Sequence, residues 1–167
     1  AKDYYRELDI EDAVADVGFT VNGLNITRSV FVSAPDNVMV IRVTADSPAS
    51  LSLECSIDGR DDYYDDNRPC GKNMIMYNGG TGSRNGIFFA AVVGAKASGG
   101  KIRTLGGKIS VENADEVMIV LSVRTSFYGE NYEESAQVDA EMALQCEWDE
   151  LYYRHVCDYH VFTAGTV

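Results

Sequence analysis

The stretch ITRSVFVSAPDNVMVIRVT at residues 26–44 sets the pattern of this chain, because two β-branched runs flank Ala-Pro-Asp-Asn. Pro35 fixes a turn value of φ, and Asp36 and Asn37 favour turns because their side chains bond to nearby backbone. The stretch therefore predicts a β-hairpin. Apolar side chains occupy both faces of its second strand: Val38 and Val40 on one, and Met39, Ile41 and Val43 on the other. We expect this strand to be central and covered on both sides, with the other strands building outward from it.

Further strands are predicted before and after this hairpin. Residues 13–21 and 51–57 alternate between apolar and polar side chains, which is typical of half-buried strands. Hairpin turns are predicted at Asn22-Gly23, Gly99-Gly100 and Gly106-Gly107. Strands are predicted at residues 4–10, 13–21, 24–33, 51–57, 87–97 and 116–125, with a short strand at 74–77, and loops at 58–73 and 78–86. About nine or ten strands without an intervening helix indicate a mainly β protein, an antiparallel β-sandwich of the super-sandwich type.

The apolar period changes near the C-terminus. From residue 132 onward apolar positions recur in steps of three and four, which predicts one or two amphipathic helices over 132–162, bent near residues 146–147. The predicted stripe consists of Ala136, Ala140, Leu144, Trp148, Leu151, His155, Tyr159 and Phe162. We expect the central part of this stripe to be buried, with His155 as a packed, hydrogen-bonded residue. The domain prediction is a sandwich at residues 1–128 and a linker-type helical segment at 129–167, packed on the sandwich or leaving it.

Charge and composition exclude several classes of partner. The formal net charge is −12, whereas nucleic acids and anionic membranes attract clustered Lys and Arg. The chain is 46% hydrophobic, which predicts a folded globular protein. No apolar run approaches the roughly 20 residues of a membrane span. The compartment stays open between the bacterial cytoplasm and secretion.

The four cysteines predict neither a metal site nor redox chemistry, because none stands in a CxxC pair. Cys146 and Cys157 are separated by about 16 Å in an unbroken helix, too far for a disulfide. Pairing of Cys55 with Cys70 stays open, and we favour free thiols. No cofactor is predicted.

Several motifs together resemble family 95 glycoside hydrolases, the α-L-fucosidases and their relatives. They are RELDI at 6–10, RxVFxSAPD at 28–36, VxVIRVTAD at 38–46, TSFYG at 125–129 and HxxDY at 155–159. The resemblance follows the same order over roughly residues 4–162. The tail VFTAGTV departs from the family's continuation.

The resemblance implies a non-catalytic role for this chain. In that family the matched region is the later part of an N-terminal β-sandwich domain, followed by linker helices and a catalytic (α/α)6 barrel that holds the acid and base. No residue here inherits a catalytic role, and the implied partner is the barrel of the same polypeptide, which would hydrolyse terminal L-fucosides. Earlier strands of the family's sandwich would precede Ala1. We therefore expect an exposed sheet edge that pairs with another chain or forms a homodimer.

Two other functions stay open from the residues alone. The chain could be a free-standing carbohydrate-binding sandwich, because tyrosine rings suit sugar stacking. The candidate rings are Tyr63, Tyr64, Tyr128, Tyr132, Tyr152 and Tyr153. We expect instead that Tyr128 and Tyr132 pack where sheet meets helix and that Tyr152 and Tyr153 face a partner. The third function is a structural surface domain.

Other polar clusters predict no specific chemistry. An acidic cluster made of Asp58, Asp61, Asp62, Asp65 and Asp66 could hold calcium, although its spacing differs from an EF-hand loop and a solvated loop is favoured. The glycine-rich segment 78–86 lacks a P-loop order and leads to a strand, which argues against phosphate binding. No pair of acids lies in a recognisable glycosidase motif, so no catalytic, metal or cofactor-binding residue is predicted.

Overall fold

The computed structural model describes residues 2–59, 64–82 and 86–164, which form eleven strands and two helices in these ranges. The first seven strands are β1 (Lys2–Asp9), β2 (Val14–Val21), β3 (Leu24–Ser33), β4 (Val38–Ala45), β5 (Leu51–Ser56), β6 (Tyr64–Gly71) and β7 (Met74–Gly80). The remaining elements are β8 (Phe88–Ser98), β9 (Lys101–Leu105), β10 (Lys108–Ala114), β11 (Glu116–Thr125), α1 (Tyr132–Gln145) and α2 (Trp148–Ala164). The prediction of antiparallel strands followed by two C-terminal helices is confirmed.

The strands form two antiparallel sheets of unequal size. The large sheet has the order β1-β2-β3-β4-β11-β8-β7-β6, and the small sheet has the order β5-β10-β9. The hairpin predicted at residues 26–44 is confirmed, since Ser33 pairs with Val38 across the turn. The neighbour of β4 on its other side is β11, with Ile41 opposite Ile119. The predicted central strand is thus central, but its second partner comes from the far end of the chain.

One face of the large sheet packs against the helices. Small residues on α1 let it approach the sheet closely, namely Ala136, Ala140 and Ala143. A Cβ atom added to Gly94 of β8 would lie 2.6 Å from Leu144 Cδ1, so glycine is required for this close contact. The helix α2 packs on β3, where Phe31 lies edge-to-face with Trp148 at 4.8 Å and stacked on His155 at 4.7 Å.

The other face of the large sheet packs against the small sheet. Side chains from both sheets form this second core: Val43, Leu51, Ile75, Val93, Ala95, Ile109, Val111, Ala114, Val117 and Ile119. The alternate residues of β4 and β11, Val40, Val120 and Met118, belong to the core on the helix side. The prediction that β4 is covered on both sides is therefore confirmed. The strand β11 is covered in the same way, and the fold has three layers.

The small sheet covers only part of this face. Its core residues meet β4, β11, β8 and β7, whereas the corresponding face of β1, β2 and β3 carries exposed apolar side chains. Leu8 is 65% exposed and Val32 is 60% exposed. The three strands β1–β3 thus extend beyond the small sheet.

Two loop predictions are wrong. The range predicted as the loop 58–73 contains β6, and the strand predicted at 74–77 continues to Gly80 as β7. The strand β6 is polar and contains Pro69 because it is the last strand of the large sheet and pairs only with β7. An edge strand does not need two apolar faces, so the apolar pattern could not reveal it.

The helical segment bends where it was predicted to bend. Cys146 is extended, with φ −81° and ψ 158°, and Glu150 Oε2 accepts a bond of 2.9 Å from the Glu147 N–H at the start of α2. Leu151 and His155 are buried as expected, while Leu144, Trp148 and Tyr159 are half-buried. Phe162, at the end of the apolar stripe and outside its central part, is 80% exposed. The helix passes the edge of the sheet before that residue.

All four cysteines are free thiols, as favoured from the sequence. Among the described residues, neither helix has the length and apolar character needed to cross a membrane.

Candidate functional site

The four candidate tyrosines whose side chains the structure describes do not form one surface. Tyr132 packs against the helix-side core as predicted, whereas Tyr128 is 90% exposed, so the prediction that it packs there is wrong. Tyr152 is turned inward, 6.0 Å from Phe31 and 6.2 Å from Trp148 between ring centroids, and does not face a partner. Tyr153 is exposed. Tyr63 lies outside the described residues.

Two strongly exposed aromatic residues lie together where β11 ends. Phe127 and Tyr128 pack edge-to-face with ring centroids 5.0 Å apart, and both are largely exposed. Their loop is fixed to the sheet by Ser126, whose N–H donates to the Phe88 carbonyl at 2.8 Å and whose Oγ accepts from the Phe88 N–H at 2.9 Å. The pair is thus an aromatic projection on a fixed strand end.

Clefts lie on both sides of this strand end. On the helix side, a cleft of about 520 Å³ is lined by Arg124, Tyr128, Glu130 and Asn131, among others. The Arg124 guanidinium is held by Asp139, with Nε 2.7 Å from Oδ2, and this bond raises the pKa of Arg124. A guanidinium, a carboxylate and an amide beside an exposed ring are groups that sugar hydroxyls can bind.

The cleft on the small-sheet side is more apolar, with a volume of about 630 Å³. Its floor contains Tyr77 and Phe89, whose rings are stacked 6.0 Å apart, and Asp58 and Thr81 lie in its wall. Ligand sites are commonly concave and apolar with a few polar groups. Both clefts and the aromatic pair therefore make this end of the large sheet the candidate site for a ligand or partner.

The HxxDY motif has a structural role. His155 Nε2 lies 2.9 Å from the Asp12 carbonyl oxygen, and Tyr159 donates to the Ile10 carbonyl at 3.1 Å. The Tyr152 hydroxyl donates to Asp12 Oδ2 at 2.8 Å, which together with burial and nearby carboxylates raises the pKa of Tyr152 to about 12. These bonds attach α2 to the turn between β1 and β2.

A second polar contact attaches α2 to the turn predicted at residues 34–37. Arg154 donates to Asp36 Oδ1 from Nη2 at 2.7 Å and from Nε at 3.0 Å. The bond to Asp36, with a further bond to the Cys146 thiol, raises the pKa of Arg154 above its already high value. Phe31 also stacks on His155, so the motifs at residues 28–36 and 155–159 meet in space. Both motifs therefore help to determine the fold.

The acidic cluster is only partly described. Asp61 and Asp62 lie outside the described residues. Asp66 binds Arg68, with Oδ2 2.6 Å from Nη1, and Arg68 also binds Glu133 at 3.0 Å. Within the described ranges no group of three or more His, Cys, Asp or Glu is arranged to hold a metal ion.

The thiols near the cores have little nucleophilic character. Burial is the main cause that raises the pKa of Cys70 to about 11, with a further increase from Glu141 and an opposing effect from Arg68. Burial also raises the pKa of Cys55. A thiol that stays protonated at neutral pH is a poor nucleophile, so neither residue suggests covalent catalysis.

The sequence reasoning missed the aromatic site at the end of β11. Phe127 and Tyr128 lie between Ser126 and Gly129, residues that favour turns, and this was a signal that the rings stand on an exposed loop. The small-sheet-side cleft could not be predicted, because residues from the segment after β5, from β7 and β8 and from β11 line it together. The helix-side cleft combines the end of β11 with the start of α1.

Comparisons with known proteins agree with this architecture. A family model described as the N-terminal domain of glycosyl hydrolase family 65 matches residues 1–130. The chain belongs to this family. A solved structure described as a putative kojibiose phosphorylase from the human microbiome has the same fold, with a TM-score of 0.66, 14% identity, and coverage of 97% of this chain and 25% of that one.

A curated relative supports the resemblance to α-L-fucosidases. The Arabidopsis thaliana protein named Alpha-L-fucosidase 2 is 29% identical over 93% of this chain, which corresponds to 22% of the relative. This family 65-type domain thus spans about a fifth to a quarter of the length of these relatives, in which it is attached to a larger remaining part.

Proposed function

We propose that this chain is a non-catalytic N-terminal domain of a longer glycoside hydrolase and supports fucoside hydrolysis by the remaining, catalytic part. The observation that carries the proposal is that 93% of the chain aligns with only 22% of a protein named Alpha-L-fucosidase 2. In this proposal residues 1–128 are the sandwich and 129–167 the helical segment, and the (α/α)6 barrel of the same polypeptide supplies the acid and base.

The geometry of the carboxylates favours the non-catalytic role. Glycosidases need an acid and a base on two sides of one sugar-binding site. Here Asp36, Asp139 and Glu133 are engaged with arginines on other elements, and Asp12 binds Tyr152. These carboxylates hold elements together.

The experiment compares the 167-residue chain with the longer polypeptide encoded by its reading frame, using an aryl α-L-fucoside. We expect turnover by the longer polypeptide and none above buffer by the chain alone. Turnover by the chain alone, abolished by one Asp or Glu substitution in it, would overturn the non-catalytic role. If the longer polypeptide hydrolysed none of a panel of aryl glycosides, the proposal that this domain supports glycoside hydrolysis would be wrong.

A second candidate function is carbohydrate binding at the end of β11. The exposed Phe127–Tyr128 pair beside a cleft with Arg124, Glu130 and Asn131 favours it. The test is glycan-array binding of the chain and of Phe127→Ala and Tyr128→Ala, with Tyr153→Ala, an exposed ring on α2, as the matched control. Binding lost in the first two variants but kept in the control supports this function. If the unmodified chain binds no glycan, carbohydrate binding is wrong and a structural role without a sugar ligand is left.

A further inference from the structure

A row of four residues crosses the large sheet beneath the small-sheet-side cleft. The register places Val123, Ala91, Tyr77 and Asn67 in this row, on β11, β8, β7 and β6. The first three residues line the cleft of about 630 Å³, and Asn67 lines a neighbouring cleft of about 480 Å³. Because four adjacent strands are separated by three spacings of about 4.8 Å, the row is roughly 14 Å long.

The segment that follows β5 joins these two clefts, since Ile57 and Asp58 line both of them. The second cleft lies along the end of the small sheet. There Ser56, Lys108 and Leu105 are paired neighbours on β5, β10 and β9, and all three line the cleft. The two clefts therefore form one groove, which we call the end groove. It runs from β11 across the large sheet to the end of the small sheet.

Small residues lie beside an aromatic ring in the end groove. Ala91 lies between the larger Tyr77 and Val123, and Gly79 lies opposite Phe89 on the next strand. Phe89 is half-buried and Val123 is 53% exposed, so both offer apolar surface to a ligand. A ring with one apolar face can pack against such a surface.

The polar groups of the end groove carry little positive charge. The Asp58 carboxylate is exposed. Its Oδ1 accepts from the Gly59 N–H at 2.8 Å, and among the described residues its Oδ2 accepts no hydrogen bond. Lys108 is paired with Glu54 at 2.7 Å, so Asp58 is the one unpaired charge among the described residues that line the groove. A single carboxylate disfavours an anionic ligand and can accept from hydroxyl groups.

The backbone around the end groove does not favour an extended peptide. Such peptides bind mainly to the unpaired backbone groups of a sheet edge. The end groove instead crosses β11, β8 and β7, each of which already has a strand on both sides. A pyranose ring has an apolar C–H face and hydroxyls at its rim, which matches an aromatic ring beside a carboxylate.

We propose that the end groove binds a neutral glycan chain of several sugar units. One unit packs on Phe89 and Val123 and donates hydroxyl hydrogen bonds to Asp58. Further units lie along the end of the small sheet, beside Ser56 and Leu105. This role goes beyond the proposed function, because it gives the domain a ligand of its own at a site without the acid and base of hydrolysis. It also differs from the second candidate function, whose cleft lies on the helix side.

The test is an array of neutral gluco-, xylo-, manno- and galacto-oligosaccharides, from monosaccharides to hexasaccharides, with an acidic uronate-containing series for comparison. Both the 167-residue chain and the longer polypeptide are applied to it. We expect both to bind neutral members, with binding that increases from one unit to several. Calorimetry with the best neutral member then measures Kd for the variants.

The first variant blocks the groove. Val123→Arg should weaken binding by about tenfold or more, because the longer side chain takes the place of a sugar unit at the aromatic ring. The matched control is Val32→Arg. Val32 is 60% exposed on the same face of the large sheet but lies on β3, outside the groove. Melting temperatures verify that both variants fold.

The second variant keeps the shape of the groove and removes its charge. Asp58→Asn should weaken binding by about fivefold, as expected for a lost hydrogen bond to a charged group. Its control is Glu112→Gln, an exposed carboxylate on β10 outside the groove. This pair decides the question if Val123→Arg does not fold. Equal binding by Asp58→Asn and Glu112→Gln would overturn the proposal.

Other outcomes separate this proposal from the two functions above. If no neutral member binds, if only monosaccharides or acidic glycans bind, or if only the isolated chain binds, the proposal is wrong. Binding that is lost in Tyr128→Ala but kept in Val123→Arg would overturn it and support the second candidate function. If the longer polypeptide hydrolyses fucoside without binding the array, the proposed function stands and only the end groove proposal fails. Binding at the end groove without glycosidase activity would remove the proposed function alone.

Discussion

The two halves of the large sheet differ in what covers them. In the half formed by β11, β8, β7 and β6, the strands β11, β8 and β7 lie between α1 and the small sheet, so both of their faces belong to a core, and β6 is the edge strand. The half formed by β1–β4 is covered by α2 on one face, through Phe31, whereas on the other face the small sheet reaches only β4 and leaves Leu8 and Val32 exposed. Both halves are apolar on the small-sheet side. An apolar face therefore shows that a strand needs a cover, but not that the same chain supplies it.

The largest expected effect compares a residue of each half. Ile109 is fully buried between the two sheets, so Ile109→Ala should destabilise the chain by about 2–5 kcal/mol. Val32→Ala, on the uncovered half, should change stability by less than about 0.5 kcal/mol. Urea denaturation of both variants measures the difference. Equal effects would mean that the open half is covered in solution.

The next effect concerns α2, the helix that covers one face of the β1–β4 half. Trp148 is half-buried against Phe31, and Arg42 lies over its ring at 5.7 Å. We expect Trp148→Ala to cost about 2–3 kcal/mol, less than the ~3–5 kcal/mol typical of a fully buried ring. Tyr153→Ala on the same helix is the control and should be nearly neutral. An unchanged melting temperature for Trp148→Ala would show that α2 does not stabilise this half.

A smaller effect should appear in self-association of the isolated chain. At high concentration the open face of β1–β4 should promote association, and salt should increase it by screening the repulsion due to the charge of −12. Light scattering over a salt series measures this. Val32→Lys should reduce the association and Leu105→Lys should not. A monomeric mass at high salt and high concentration would remove the support for an exposed edge that recruits a homodimer.

The smallest effect is a pH dependence at the attachment of α2. The neutral Tyr152 hydroxyl donates to Asp12, and its folded pKa of about 12 exceeds the unfolded value of about 10. This contribution is fully present below pH ~10 and is lost as pH rises from about 10 to about 12. The urea midpoint should fall over that interval, and Tyr152→Phe should reduce the fall. Identical pH profiles would show that the bond adds nothing to stability.

The hairpin at 26–44, the apolar strands and the two helices could be predicted because their periodicity reflects burial on known faces. The strand β6 could not, since an edge strand has no such requirement. The division into a large and a small sheet could not be predicted either, because strands of both sheets show the same alternation of apolar residues. Ile109 and Ile41 look equivalent in sequence, yet Ile109 is fully buried and Ile41 is only partly buried. The two aromatic residues at 127–128 could be read from the sequence, but their exposure could not, because it depends on the bonds between Ser126 and Phe88.

The place of β11 between β4 and β8 has a consequence for biosynthesis. Ile41 pairs with Ile119, so β4 receives its second neighbour only after most of the chain has been made. At about 5–20 residues per second, the roughly 70 residues between these strands take roughly 4–14 s to synthesise. During that time the β1–β4 meander leaves the ribosome with an unpaired strand at each end. A truncated polypeptide that ends before residue 116 would lack β11, the strand that joins the β1–β4 meander to β8. The large sheet would then remain two separate pieces, and each piece would be a substrate for chaperones or proteases.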